Sequence, residues 1–256
     1  MKSNGMEPFR ANQLSNAGRS RHSGSLEVYL LGIVDFDSSL VLQERLCDEI
    51  AEREDRQGAL LICEHPPIVT IGRQGSRSDV LAEPRELVSR EMDVRWLNRG
   101  GGCLVHCPGQ LAVYPIVPVQ RLDFGLVDYR RALEQSVIDA CRDLHIPAVR
   151  RDEEPGIWCR LGQFGFFGVA VKSRVAYHGM FINVAPDMEY QRLVRSSGLA
   201  DRATSLAALR VRPTAMHSVR SAIVPRLSAR LGYDRFHIYT GHPLLRRTTR
   251  KVYVHT

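Results

Sequence analysis

The chain has 256 residues, of which 44% are hydrophobic and 25% are charged. That length allows one sizeable core, and that balance is typical of an ordinary globular protein rather than a disordered or fibrous one. No run approaches the roughly 18 uninterrupted apolar residues that a membrane span needs, and no signal-peptide core is visible. These features predict a cytoplasmic protein that does not enter a membrane.

The net charge of +7 predicts attraction to acidic partners. The basic residues are scattered, and their densest group, at 246–251, has no nucleic-acid recognition motif around it. We therefore expect an acidic protein partner and no nucleic acid. The six cysteines lie in apolar or strand-like surroundings without the density of a secreted scaffold, which predicts reduced thiols.

The chain divides by pattern into three parts. Residues 1–24 lack hydrophobic periodicity and predict a disordered leader, residues 25–240 predict one domain, and residues 241–256 form a basic tail. In chain order the predicted elements are a strand at 27–32, a helix at 38–56, strands at 60–63, 94–97 and 111–119, a helix at 126–144, short strands near 149 and 157, strands at 166–171 and 175–184, a helix from 213 or 214 to 231, and a strand at 236–239.

Clustered strands separated by few helices favour an α+β fold with a mixed, largely antiparallel sheet. The prolines within 111–119 predict an edge strand or a bulge, because proline cannot donate to a sheet ladder. No internal repeat or long linker divides the pattern.

Four short segments carry specific information. The first contains EHPP at 64–67 and TIGR at 70–73, and the second contains RGG at 99–101, His106, PGQL at 108–111 and YP at 114–115. The third contains PGIW at 155–158, GV at 168–169, YHG at 177–179 and NV at 183–184, and the fourth contains TSL at 204–206. Their order and spacing resemble the lipoyl (octanoyl) transferase family. The resemblance implies the catalytic-domain fold of biotin and lipoate protein ligases, with helices packed against one side of the sheet.

The same resemblance implies an activity and its partners. Members of that family transfer an octanoyl group from acyl carrier protein to a lysine of lipoyl domains, either in 2-oxoacid dehydrogenase complexes or in the glycine cleavage H protein. A cysteine takes the acyl chain and a lysine serves as its acid/base partner. No cofactor and no metal are expected.

Several residues in the matching segments are candidates for binding. Gly100, Gly101 and Gly102 allow close backbone approach and expose N–H groups that suit an acyl carbonyl, although a tight turn is the simpler reading. Arg99 either positions the acyl carrier or closes this turn. His106 and His178 are candidates for orienting a thioester or relaying protons. The remaining predicted substrate-binding residues are Gly168, Gly179 and Ser197.

The two reactive residues of the family are replaced. Reading without gaps from Pro155, or back from His178, places Gln163 at the lysine position. The cysteine position falls on Ser196 or, with one deletion, on Ser197. Glutamine does not titrate, and a serine hydroxyl is a poor nucleophile without a base. The loss of both residues together predicts a non-standard active site.

Other groups are candidates for the missing chemistry. Cys107 beside His106 is either a thiolate or an inert buried thiol. A zinc site that includes Cys103 is disfavoured, because three ligands in a non-standard spacing are too few. Lys172 is the nearest amine in sequence, and Leu104 with Val105 changes the pocket floor.

The sequence leaves three alternative functions open. The first is octanoyl transfer with an altered site, and the second is a non-catalytic relative that binds an acyl group or a lipoyl domain. The third is an ATP-dependent ligase, against which Gln163 counts because related ligases also use a lysine there.

Overall fold

The computed structural model describes residues 24–151, 154–196, 203–209 and 214–245. The strands are β1 (Ser25–Ile33), β2 (Gly58–Glu64), β3 (Ile68–Ile71), β4 (Asp93–Trp96), β5 (Cys103–His106), β6 (Gln110–Ile116), β7 (Ile157–Cys159), β8 (Gly162–Lys172), β9 (Val175–Asn183) and β10 (Arg235–Thr240). The helices are α1 (Phe36–Ala51), α2 (Pro84–Ser89), α3 (Leu126–Asp143), α4 (Met188–Gln191) and α5 (Met216–Arg230). The predicted leader (except residue 24) and residues 246–256 of the predicted tail lie outside the described residues.

The main sheet has seven strands in the order β10-β1-β2-β6-β9-β8-β7. The β10-β1-β2 pairs are parallel and the others are antiparallel, which confirms the predicted mixed α+β fold. A second sheet of three strands, in the order β4-β3-β5, stands beside it and was not separated from the first in the sequence pattern. The loop between β4 and β5 contains the glycine run.

The expectation that helices cover one side of the sheet is wrong. Leu60 and Ile62 of β2 pack in the cluster that holds α3 and α5, whereas the alternate residue Leu61 packs in the cluster that holds α1. Side chains alternate between the faces of a strand, so the two clusters lie on opposite faces. Helices therefore cover both faces of the main sheet. No helix in the described ranges is long and apolar enough to cross a membrane.

Helix α1 brings a polar residue under the sheet. Asp35 caps its first turn by accepting a hydrogen bond from the Ser38 backbone N–H at 2.9 Å. Leu42, Leu46 and Ile50 recur at i+4 spacing and face the core. Gln43 lies on this buried side and is fully buried.

The prolines do not mark an edge, which corrects that prediction. Strand β6 is the middle strand of the sheet, and Pro115 pairs with Leu60 of β2. On the other side, the pairing of β6 with β9 is interrupted after Val113 and resumes where Val117 pairs with Ala176, so the proline nitrogen lies in the gap and no hydrogen bond is required of it there. Proline is tolerated in a central strand because one of its two ladders is interrupted at this point.

Candidate active site

A cavity of about 340 Å³ opens beside the glycine turn. Its lining residues come from that turn, from β8, from the approach to β7 and from the segment before residue 197; they are Gln74, Asp79, Gly101, Gly102, Leu104, Glu154, Pro155, Trp158, Gln163, Phe166, Phe167, Arg195 and Ser196. The structure thus brings Gln163, Ser196, Gly101 and Gly102 together, as the motif comparison predicted. Ser197 lies outside the described residues.

The side chain of Gln163 is tied to the backbone around it. Its amide nitrogen donates to the carbonyl oxygens of Pro155 at 3.3 Å and of Gly165 at 3.1 Å. A Cβ atom on Gly156 would lie 2.3 Å from that nitrogen, so only glycine allows the glutamine to approach this turn. Gln163 therefore fixes the Pro155–Gly156 turn against β8.

The glycine run presents fewer free N–H groups than predicted, which corrects that expectation. Gly100 donates to the carbonyl of Val169 at 2.9 Å, and Gly101 donates to the side chain of Gln74 at 2.6 Å. Gly101 has φ of +81°, and a Cβ there would lie 2.9 Å from the carbonyl oxygen of Phe167. Of the three, only the Gly102 N–H has no acceptor among the described residues. The turn can offer an acyl oxygen this N–H, and that of Gly101 once Gln74 moves away.

A chain of hydrogen bonds runs behind the turn, away from the cavity. Arg99 donates through Nη1 to the carbonyls of Gly100 at 3.0 Å and Gly102 at 3.2 Å. Its Nη2 donates to Thr70 Oγ1 at 2.7 Å. Burial lowers the pKa of Arg99 to about 10, and the guanidinium is still charged at neutral pH. Arg99 closes the turn as a structural cation, which was one of its two predicted roles.

The chain continues through His106 to the far end of β9. Thr70 Oγ1 lies 2.9 Å from His106 Nε2, and His106 Nδ1 lies 2.8 Å from Gln110 Oε1. Gln110 Nε2 donates to Val105 O at 3.0 Å and to Asn183 Oδ1 at 2.9 Å. Because the carbonyl of Val105 can only accept, Gln110 must present its oxygen to His106, and His106 therefore carries its proton on Nδ1.

Each hydrogen bond in this series has a defined donor and a defined acceptor. Thr70 accepts from Arg99 and so donates its own proton to His106 Nε2, which must be unprotonated. Burial holds the pKa of His106 well below its usual value, in agreement with a neutral ring. Both ring nitrogens are occupied, and His106 does not line the cavity. These hydrogen bonds fix the orientation of the His106 ring, and its predicted role in orienting a thioester or relaying protons stays a prediction.

His178 is also buried away from the cavity lining. Its backbone N–H donates to Gln43 Oε1 at 2.9 Å, and its φ of +55° is unusual for a residue other than glycine. The Nδ1 atom has no hydrogen-bond partner in the described part of the chain. Burial, followed by the charge of Arg99, lowers the pKa of His178 to about 3. A proton relay through His178 at neutral pH is therefore disfavoured.

Gly168 and Gly179 pack closely against neighbouring residues, and their predicted substrate-binding role stays a prediction. A Cβ on Gly168 would lie 2.7 Å from Cδ of Arg99, and one on Gly179 would lie 2.3 Å from the carbonyl oxygen of Val113. The two glycines face each other across β8 and β9 and make room for the side chain of Arg99 and for β6. Neither lines the cavity.

No cysteine lines the cavity, although all six thiols are free and buried. Burial raises the pKa of Cys107 to about 12 and that of Cys103 to about 11. A thiolate at Cys107 is therefore disfavoured at neutral pH. The described residues hold no cluster of three or more His, Cys, Asp or Glu side chains suited to a metal ion.

Lysine does not replace the missing base within the described residues. The chain contains three lysines, Lys2, Lys172 and Lys251, and only Lys172 falls in the described ranges. Its Nζ pairs with Asp48 at 2.8 Å on the exposed surface, and it does not line the cavity.

Four cavity residues were not predicted from sequence: Gln74, Asp79, Glu154 and Arg195. Gln74 directly follows the TIGR motif, and Glu154 directly precedes PGIW, so adjacency to the motifs is the one signal that sequence offers for them. Asp79 and Arg195 are joined by the bond from the Arg195 N–H to the Asp79 carbonyl at 2.7 Å, which no sequence pattern reveals.

The mixed sheet and the cavity beside its glycine turn define a protein with the lipoate protein ligase fold. The solved structure of a bi-partite lipoate protein ligase from Thermoplasma acidophilum matches with a TM-score of 0.66 at 16% identity, over 86% of this chain and 89% of that one. At this identity the likeness concerns the fold.

Sequence comparison identifies the family. A model described as the lipoyl protein ligase A/B catalytic domain matches residues 35–228. An octanoyltransferase of Geobacter metallireducens is 34% identical over 197 residues, 77% of this chain and 89% of that protein. Another from Chloroflexus aggregans is 33% identical over 209 residues, 80% of this chain and 94% of that protein. The chain belongs to the octanoyltransferase family within the lipoyl protein ligase A/B catalytic-domain group.

Proposed function

We propose that this protein transfers an octanoyl group from the thioester of an acyl carrier protein to a lysine of a lipoyl domain. Family membership supports the reaction class. The observation that carries the assignment to this site is the cavity itself, whose lining combines an apolar wall of Leu104, Trp158, Phe166 and Phe167 with the Gly101–Gly102 turn, Gln163 and Ser196.

The apolar wall fits a medium-length acyl chain. Leu104, Trp158, Phe166 and Phe167 line the cavity and would exclude water from the chain. Burying each methylene contributes about 0.8 kcal/mol, so a chain of this length gains several kcal/mol from the wall alone. The thioester carbonyl then lies toward the glycine turn, where the Gly102 N–H is available to its oxygen.

Exposed arginines near the opening support acidic protein partners. Arg195 lines the cavity and its side chain is 55% exposed. Arg73 and Arg77 are exposed and flank Gln74 in the loop that touches the glycine turn. Carrier and lipoyl domains with acidic surfaces would be attracted to this side, and their binding would weaken as salt increases. We place the reaction in the cytoplasm, in line with the sequence-based expectation.

The assay combines the protein with octanoyl-loaded acyl carrier protein and a lipoyl domain, without nucleotide. We expect octanoylated lipoyl domain by intact mass, and none on a lipoyl domain whose target lysine is changed to arginine. Product formation no faster than in the enzyme-free tube would refute the proposed transfer. Retained binding of octanoyl-loaded carrier in that case would instead support the non-catalytic alternative.

A further inference from the structure

The carboxylate of Glu154 is the feature of the cavity that the reaction described so far does not use. Glu154 lines the cavity, and both of its carboxylate oxygens are buried without a hydrogen-bond partner among the described residues. An unpartnered buried polar group is costly, and a buried carboxylate more so. We therefore expect a hydrogen-bond donor of the substrate to bind this carboxylate when the substrate enters the cavity.

Among the lining residues that the structure describes, Glu154 is the one whose side chain is free to accept a proton. The titratable residues of the lining are Asp79, Glu154 and Arg195. Asp79 Oδ2 already accepts from the Ser76 backbone N–H at 2.8 Å, and its Oδ1 faces Arg195 Nη1 at 3.9 Å. An arginine cannot act as a base in a protein.

The replacement of the family lysine is structurally connected to Glu154. Gln163 occupies that lysine position and donates to the carbonyl of Pro155, the residue that follows Glu154. Its second bond, to the carbonyl of Gly165, ties the same amide to β8. Gln163 therefore holds in place the turn that carries Glu154, and a carboxylate nine residues earlier stands in the cavity from which the amine was lost.

We propose that Glu154 is the proton acceptor of a direct transfer, in which the target lysine amine attacks a bound octanoyl thioester without an acyl-enzyme. This inference rests on the proposed function. Gln163 is then a positioning residue, which acts by holding the turn of Glu154.

The step balances without any further reactant. The lysine of the partner enters as an ammonium ion and gives one proton to the Glu154 carboxylate. Its nitrogen forms the amide bond to the octanoyl carbonyl carbon, and the carbon–sulfur bond of the thioester breaks. The thiolate leaves and takes the proton that Glu154 holds, while the second proton of the amine passes to solvent. An amine entering the cavity also supplies the donor that the carboxylate lacks in the free protein.

A carboxylate base activates a lysine amine more readily than a serine hydroxyl, which favours this route over a serine ester. Neither His106 nor His178 lines the cavity with Ser196, and both rings are held neutral by burial. A hydroxyl nucleophile needs an adjacent base to be useful. Glu154 is a weak base for a hydroxyl, whose proton is held far more tightly than that of a lysine ammonium ion, whereas an amine that has given up one proton is already nucleophilic.

The test compares Glu154→Gln, Glu154→Asp and wild type in the lipoyl-domain octanoylation assay, varying both substrates. Glu154→Gln keeps the shape of the side chain and removes its basicity, so we expect kcat to fall about 100-fold with both KM values within about two-fold. Glu154→Asp shortens the reach of the carboxylate and keeps its basicity, and we expect an intermediate kcat. The matched control is Glu44→Gln, an exposed residue of α1 outside the cavity, with unchanged kcat.

The outcomes separate this inference from the proposed function. Active wild type with a Glu154→Gln variant that retains its kcat would overturn the role of Glu154 and leave the octanoyl transfer standing. A wild-type protein that transfers nothing would overturn both. Thermal melts of all variants check folding; if Glu154→Gln does not fold, a Glu154→Asp variant with wild-type kcat and raised KM would also overturn the proposal.

Discussion

The two sides of the glycine turn differ in how completely their polar groups are satisfied. Behind the turn, Arg99, Thr70, His106, Gln110 and Asn183 form a directed chain in which each link has a donor and an acceptor. In front of it, the cavity contains a carboxylate with no hydrogen-bond partner among the described residues, a serine, and a glutamine amide bound to backbone carbonyls. The frame that shapes the turn, defined by these five residues, is complete, whereas Gln163 and Ser196 stand where the motif spacing predicts the reactive residues of the family.

This difference indicates that the residues behind the turn determine its structure, whereas the residues in the cavity can change without disturbing that structure. The buried chain depends on geometry and cannot change one member without leaving another unsatisfied. The cavity wall has no such constraint, since Gln163 and Ser196 are not linked to each other through side chains. Substitutions behind the turn should therefore affect stability, and those in front should affect the reaction.

The largest effect on stability is expected from Arg99→Ala. The change leaves the carbonyls of Gly100 and Gly102 and the hydroxyl of Thr70 without their donor and opens a cavity in the core. We expect the free energy of unfolding to fall by about 3–4 kcal/mol, measured by urea denaturation. The control is Arg45→Ala, which removes an exposed pair with Glu49 and should cost about 0.5 kcal/mol or less. If both variants lost the same free energy of unfolding, the buried hydrogen bonds of Arg99 would contribute no more to stability than an exposed ion pair.

Restoring the family residues should change the reaction intermediate and not the fold. In the double variant with Gln163→Lys and Ser196→Cys, the ammonium favours a thiolate in the cavity. We expect incubation with octanoyl carrier to load close to one octanoyl group per chain, released by hydroxylamine and seen by intact mass. The double variant with Gln163→Lys and Ser196→Ala controls for acylation elsewhere. An unmodified Cys-containing variant would show that residue 196 does not meet the acyl carbon.

Acid should destabilise the folded protein through its buried histidines. Burial lowers the pKa of His65 to about 4 and that of His178 to about 3, and it also lowers that of His106. A histidine whose pKa is lower in the folded state contributes stability that is fully present above the unfolded value of about 6.5 and is lost below it. Between pH 7.5 and pH 5 we expect a loss of about 2 kcal/mol from each of His65 and His178, and a further loss from His106, by urea denaturation.

The His178→Asn variant sharpens this expectation. Asparagine accepts the positive φ of this position better than most residues and does not titrate. The pH dependence of its unfolding free energy should be smaller than that of wild type by the contribution of one histidine, and its unfolding free energy at pH 7.5 should change only modestly. A pH dependence identical to that of wild type would contradict the assignment of His178 as a buried neutral ring.

The smallest effect is expected at Lys172. Its amine is bound to Asp48 on the surface, and it does not line the cavity. Lys172→Ala should therefore keep the rate of octanoylation within about two-fold of wild type. A large loss of rate, with the folded state intact, would mean that this lysine reaches the substrate.

Sequence reasoning predicted the elements that periodicity determines. The helix at 126–144 and the strands at 175–184 and 236–239 were found as α3, β9 and β10, because burial on a regular element leaves a regular pattern. The middle position of β6 was not predicted, since the tolerance of Pro115 depends on where the neighbouring ladder is interrupted. That is a tertiary fact with no local signal.

The site was predicted unevenly for a related reason. Gln163, Ser196 and the glycine turn were placed by motif spacing, and the cavity brings them together. The unused carboxylate of Glu154 was missed because residues 152–154 form an acidic run that resembles a solvated loop. The position of His106 and Gly168 outside the cavity lining was not predicted, because a motif match does not reveal whether a residue touches the ligand or supports a neighbour.

The most direct test of the account is the mass of the wild-type chain during turnover. Rapid-quench samples of enzyme, octanoyl carrier and lipoyl domain should show octanoyl groups accumulating on the lipoyl domain while the enzyme keeps its unmodified mass at every time point. An octanoyl-enzyme that forms before the product and decays as the product appears would contradict direct transfer, and would return the family's covalent route to this altered site.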